Sequence, residues 1–215
     1  MAQRYAGKKV GVFYFPGSYS VVLAQNAIKS LQNKGIKIVH SAVGVASASS
    51  YVKEIQNIIN AGVEVLYLVG GGLDSGVFVR QSKQMEAPFD ILSSDTIVSK
   101  VFIETAGLAG EDIAFTFTPE AAELSTAIEA IEALKKQGEE PAGYTLLAYA
   151  ATQTWIKGVQ RANSFDTDLV ASAIRKQPID TILGTISFNE KGDIQTSYPS
   201  FSWYIWKRGK RVSVD

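Results

Sequence analysis

The sequence contains no cysteine and one histidine, His40, in 215 residues. Without cysteine there is no disulfide framework, no thiolate nucleophile and no zinc site built on sulfur. With a single histidine, metal clusters and Ser-His-Asp triads have almost nothing to draw on. Charge of one sign is missing too: 21 Lys and Arg balance 21 Asp and Glu, so the chain lacks the basic footprint that nucleic acid or an anionic membrane calls for. No apolar run approaches the roughly 20 residues of a membrane-spanning helix; the most apolar stretch, near Val63 to Leu73, holds Glu64 and three glycines. The run Val10 to Phe15 behind Met1 to Lys9 is too short for the core of a secretory leader. No export signal is therefore expected, and the missing cysteine fits periplasm and cytosol equally.

What is present is ample apolar content, 46%, arranged as an alternation of strands and helices. Val10 to Phe15 reads as a strand ended by Pro16-Gly17, and Val21 to Lys34 as a helix with Val22, Ala27, Ile28 and Leu31 on one face. Ile36 to Val39 is a second strand, Tyr51 to Ala61 a second helix, and Val63 to Val69 the strongest strand. Gly70-Gly71-Gly72 breaks that strand ahead of a helix expected from Val77 to Met85, and Phe89 to Leu92 and Ile113 to Phe117 add two more strands. The pattern implies an α/β fold, a three-layer doubly wound and mainly parallel sheet of Rossmann-like type, with its ligand loops at the carboxyl ends of the strands. Gln137 to Gly143 reads as a linker ahead of a helix from Tyr144 to Arg161. A helix from Asp166 to Lys176, a strand from Ile182 to Phe188 and an aromatic strand from Phe201 to Lys207 follow.

Several motifs admit two readings. The glycine run can cradle phosphate through backbone N–H groups at a helix start, but it lacks the third glycine of G-x-G-x-x-G and the Lys-Ser/Thr ending of a P-loop, so a plain strand-to-helix turn is favoured. Asp95, in Ser93-Ser94-Asp95-Thr96 just past a strand, can receive a ligand ammonium group; from position alone it reads as the N-cap of a segment starting at Ile97. Gly17-Ser18-Tyr19-Ser20 is either a ligand loop or a serine-capped helix start. His40 with a nearby serine and Asp74 or Asp95 would make a hydrolytic set, yet no G-x-S-x-G elbow accompanies it.

Five segments remain: Gly7-Lys-Lys-Val-Gly-Val, Val69-Gly-Gly with Phe78-Val-Arg80-Gln81-Ser82, Tyr149-Ala-Ala-Thr-Gln153, Gly184-Thr-Ile-Ser-Phe188-Asn-Glu-Lys-Gly-Asp193 and Trp203-Tyr-Ile-Trp206. Taken together, they resemble the leucine/isoleucine/valine-type solute-binding proteins of ABC transporters, with a type I periplasmic binding fold. The resemblance runs nearly end to end. It implies a two-lobed clamp that binds an amino acid or related acid and delivers it to a membrane permease, without catalysis, cofactor, metal or nucleic acid. It implies that Tyr19 is the aromatic ligand contact, that Asp95 holds the ammonium, that Tyr144 approaches from a hinge crossing, and that Gly72 stands where branched-chain binders often place a covering tyrosine. The glycine there implies room for a bulkier ligand. The resemblance also implies that residues 1–141 correspond to the second lobe, 142–195 to a segment completing the first lobe, and 196–215 to a final strand and tail returning to the second. Such proteins are periplasmic and run well over three hundred residues, so the first part of the first lobe is absent here. The apolar faces of 144–193 are then expected to be covered in a homodimer, to swap, or to be poorly ordered. The rival reading is a cytoplasmic amide or amino-acid sensor of the same fold that controls a regulatory partner; a flavodoxin-like or hydrolytic enzyme is a distant third.

Overall fold

Strands β1 (Val10–Tyr14) and β3 (Val65–Val69) pair in parallel at the heart of the larger sheet. Around them lie β2 (Ile38–Val43), β4 (Asp90–Ser93), β5 (Ala114–Phe117), β9 (Ser202–Lys207) and β10 (Lys210–Ser213), in the order β10-β9-β5-β4-β3-β1-β2. The five strands from β5 to β2 are parallel, whereas β9 runs antiparallel to β5 and β10 antiparallel to β9. The computed structural model describes residues 5–119, 121–139, 141, 143–195 and 201–214; positions 196–200 and 215 of the expected closing segment, and Glu140 and Ala142 of the linker-like stretch, lie outside these.

Period-two alternation sends β1 residues to opposite faces. Val10 and Val12 meet α1 (Ser18–Asn33) through Leu31 and Ala24. Phe13 and the following Phe15 turn the other way, into an aromatic cluster with Tyr51 and with Phe78 of α3 (Gly72–Gln84). Helices α2 (Val52–Asn60) and α4 (Lys100–Ala106) lie with α3. The result is the three-layer α/β arrangement that the alternation implied.

Local chemistry changes the expected elements in two places. Helix α3 starts at Gly72, five residues before the expected Val77, because the glycines that read as a break let it dock closely on α4. A Cβ on Gly76 would lie 2.7 Å from Thr105 Cβ and 3.0 Å from the Phe102 carbonyl oxygen. Strand β10 was not expected; Arg208 and Gly209, both with positive φ, make a two-residue hairpin turn of the kind that matches strand twist. Glu111 steadies this turn by accepting from the Arg208 N–H at 2.7 Å and the Gly209 N–H at 3.3 Å.

Chain packing separates a first unit, residues 1–117 and 202–215, from a second, 118–201. The division thus falls ahead of the linker-like stretch. In the second unit α5 (Ile128–Lys136) and the turns before it share a core with α6 (Thr145–Ala162): Ala127 and Ala130 pack with Leu146, Ala150 and Ile182. Helix α7 (Thr167–Lys176) crosses α6 at Gly158, where a Cβ would lie 2.6 Å from Ile174. A small sheet of β6 (Ile179–Thr181), β7 (Gly184–Phe188) and β8 (Ile194–Gln195) completes the described part. Trp155 and Phe165, ring centroids 6.2 Å apart, stay on its surface.

Asp166 caps α7, its Oδ1 accepting from the N–H groups of Asp168 at 3.1 Å and Leu169 at 3.0 Å. Asp166→Ala is expected to destabilise the second unit by about 1 kcal/mol, read as a lower urea midpoint at unchanged slope.

Candidate functional site

In the first unit the chain leaves β1 for one neighbour, β2, and crosses back to the other, β3, so the sheet has its topological switch point between β1 and β3. Ligands of open α/β sheets bind outside the carboxyl ends of strands at that place. Three connections converge there: Phe15 to Gly17 after β1, Gly70 and Gly71 after β3, and Ser94 to Ile97 after β4.

Gly17 has φ 154° and ψ 142°, a conformation open essentially to glycine alone. It starts α1 at Ser18 without any side-chain cap, so the serine-cap reading of this loop does not hold. The early start places Tyr19 in the first turn, facing β4. Its hydroxyl donates to Asp95 Oδ1 at 2.7 Å.

The Ser-Ser-Asp-Thr motif divides its labour. Ser93, buried, donates to the Leu68 carbonyl at 2.7 Å and locks the end of β4 to β3. Ser94 is the cap of the short 3-10 turn Asp95–Ile97, accepting from the Thr96 N–H at 3.4 Å. Asp95 is therefore not the N-cap: it lies within the turn, and its half-buried carboxylate holds the Tyr19 hydroxyl instead. Sequence reasoning missed the next member, Tyr67, because a tyrosine inside a strand reads as packing. Burial, together with the negative charge of Asp95, pushes the pKa of its hydroxyl up to about 12 against the opposing influence of Ser94. Desolvation and the bond to Asp95 likewise raise the pKa of Tyr19.

A phenol with a raised pKa binds its proton more tightly folded than unfolded. The Tyr67 contribution to stability is whole below pH 10 and is lost as pH rises through about 12. Urea midpoints measured from about pH 9 to about pH 11 should fall less steeply in Tyr67→Phe than in the wild type.

The glycine run is occupied by packing. A Cβ on Gly70 would collide with the Phe15 ring, and one on Gly72 would stand 2.9 Å from Ser99 Oγ and 3.1 Å from the Phe102 nitrogen. The room expected at Gly72 is therefore filled by α4; Gly71, with nothing within 4 Å of its Cβ direction, is the open position. Beside it Asp74 Oδ1 accepts from the buried Tyr51 hydroxyl at 2.7 Å and from the Ser47 N–H at 2.8 Å, pinning the loop after β2 to the start of α3. Burial first, and then this bond, raise the pKa of Tyr51. Asp74 is thereby committed, and His40 lies inside β2 in register with Gly11, its pKa lowered by burial. The first unit brings Tyr19 and Asp95 into contact. Tyr144 belongs to the second unit, at the start of α6 and half exposed. Among the described residues no group of three or more His, Asp or Glu is placed to hold a metal ion, and no helix is long and apolar enough to cross a membrane.

Fold and site define a doubly wound α/β unit with a carboxylate presented at the switch point of its sheet. Residues 1–205 match the periplasmic binding protein family, and the chain belongs to that family. It is 32% identical over 203 residues to a Leu/Ile/Val-binding protein homolog of Brucella abortus, covering 94% of this chain and 54% of that protein. It is 28% identical over 210 residues to the leucine-, isoleucine-, valine-, threonine- and alanine-binding protein of Pseudomonas aeruginosa, covering 97% and 56%. The chain thus spans about half the length of the curated relatives it matches. The crystal structure of a leucine-binding protein, LivK, from Thermotoga maritima superposes with a TM-score of 0.85 at 24% identity, over 100% of this chain and 62% of that one. A solute-binding protein of Rhodopseudomonas palustris in complex with benzoate gives 0.79 at 14%, over 99% and 59%. At these identities the two likenesses speak for the type I periplasmic binding fold alone.

Proposed function

We propose that this chain is the binding component of an ABC transporter, working in the periplasm, that holds an amino acid between two lobes and hands it to a membrane permease without chemistry. The observation that carries the reading is the half-buried carboxylate of Asp95, steadied by Tyr19 and presented where open α/β sheets bind ligands. In this reading the ligand ammonium is received by Asp95, a charge-assisted contact, while the Tyr19 ring lies along the ligand and Tyr144 is a further ligand contact. Residues 1–141 then act as the second lobe, 142–195 complete the first, and the final strand returns to the second.

The names of the relatives favour a branched-chain ligand. The open position at Gly71 favours an aromatic side chain as well. Calorimetric titration with leucine, valine, phenylalanine and a short aliphatic amide tests the proposal. Binding of at least one amino acid at or below about 1 mM, with no response to the amide, is expected; a folded protein silent toward every amino acid overturns it.

A further inference from the structure

We propose that the first unit carries a second small-molecule site, at the amino ends of β4 and β5 and so at the opposite end of the sheet from Asp95, which takes an apolar amine. This site stands independently of the ligand reading above. Although β4 begins at Asp90, it pairs with β5 only at Leu92 with Ala114 and Ser93 with Phe115. Below Leu92 the two strands part, and a crevice of about 470 Å³ opens between them, the last turn of α3 and β9. Val79, Phe89, Leu92 and Ile205 form the apolar part of its wall.

Beside these apolar side chains the end of α3 brings Ser82, only 3% exposed, whose hydroxyl has no hydrogen-bond partner among the described residues. Buried hydroxyls in native proteins are nearly always satisfied, and an orphan one lining a cavity points to a polar group that arrives with a ligand. The rim decides the sign of that group. Three carboxylates, Asp90, Glu111 and Asp112, stand there against one lysine, Lys83. Glu111 is tied to the Arg208–Gly209 turn, and Asp112 faces Lys207 at 3.6 Å. Asp90, exposed, forms no ion pair or side-chain hydrogen bond among the described residues. The surplus of negative charge selects a cationic head, Asp90 supplies its counter-charge, and the Ser82 oxygen accepts from it. The Phe89, Leu92 and Ile205 walls take a hydrocarbon body.

The experiment is an NMR titration of the full chain near neutral pH with phenethylammonium, and with 3-phenylpropionate and 2-phenylethanol as the anionic and neutral counterparts. The amine is expected to shift amide signals around residues 79–92 and 109–114 and to bind more tightly than either counterpart. Asp90→Asn, a change on the surface, should weaken the amine about tenfold, as loss of a charged hydrogen-bond partner does. Ser82→Ala, which removes only the hydroxyl, should weaken it to a lesser degree, and Asp95→Asn should leave it unchanged. Equal or tighter binding of 3-phenylpropionate, an unaltered affinity in Asp90→Asn, or loss of amine binding in Asp95→Asn would each overturn the proposal. Because the amine titration is read at the amino ends of β4 and β5 and the amino-acid site at Asp95, past the carboxyl end of β4, failure of one is distinguishable from failure of the other.

Discussion

Phe78→Ala is expected to cost the first unit about 3–5 kcal/mol, at the upper end for a single truncation, and to lower its melting temperature by roughly 10 °C. The size follows from what the ring touches. Phe78 is fully buried and stacks on Phe13 with centroids 4.9 Å apart; Phe13 meets Phe15 edge-on at 5.4 Å, and Phe15 meets Tyr51 at 5.1 Å. Each such pair adds about 0.5–1.5 kcal/mol beyond the area it buries. The walls of the cavity cannot close easily, because Gly76 holds α3 hard against α4 and Gly70 is in contact with the Phe15 ring. Thermal unfolding followed by circular dichroism checks this; a drop of only a degree or two would mean that the aromatic cluster is looser than its geometry. The change also reaches the ligand loops. Tyr51 joins the cluster to Asp74, so a folded Phe78→Ala protein should expose the loop after β2 to faster hydrogen exchange.

Asp95→Asn is expected to weaken amino-acid binding about a hundredfold or more while leaving the fold in place. Removing one partner of a desolvated, hydrogen-bonded charge pair costs about 2–5 kcal/mol, and the asparagine offers the ligand ammonium a neutral oxygen where a charge stood. Stability should move little, by about 0.5 kcal/mol, because the cap of the turn is Ser94 and the turn is anchored by its own Ile97, buried and accepting at its carbonyl from Trp206 Nε1 at 3.1 Å. Tyr19 keeps an acceptor in the asparagine side-chain oxygen. Titration calorimetry together with a urea melt separates the two effects. A variant that loses binding together with its fold would return Asp95 to a structural role.

The sheet was legible because buried parallel strands write themselves as short β-branched runs, of which Val65 to Val69 is the plainest. Glycine misled where its job was tertiary. Gly72 and Gly76 weaken a helix locally and so read as a break, yet the absent Cβ atoms are what bring α4 close. The β9–β10 hairpin was hidden because arginine seldom takes positive φ, and the carboxylate that holds the turn, Glu111, is 97 residues away in sequence. The same distance limits apply to the site. Tyr19 and Asp95 were each picked out at loop ends, but 76 residues separate them, and only the fold brings the 2.7 Å hydrogen bond. Tyr67 and the Tyr51–Asp74 latch carried no signal at all, since a tyrosine whose ring packs and whose hydroxyl works looks like core.

In the proposed function, Asp95 receives the ammonium group of an amino acid. The most direct test titrates leucine and its 2-oxo acid, which differ only in that ammonium group and its carbon, into the wild type and Asp95→Asn. The wild type is expected to prefer leucine by about a hundredfold, and the variant to lose most of that preference. If leucine bound the variant as tightly as the wild type, the carboxylate at the switch point would not be the ligand's partner.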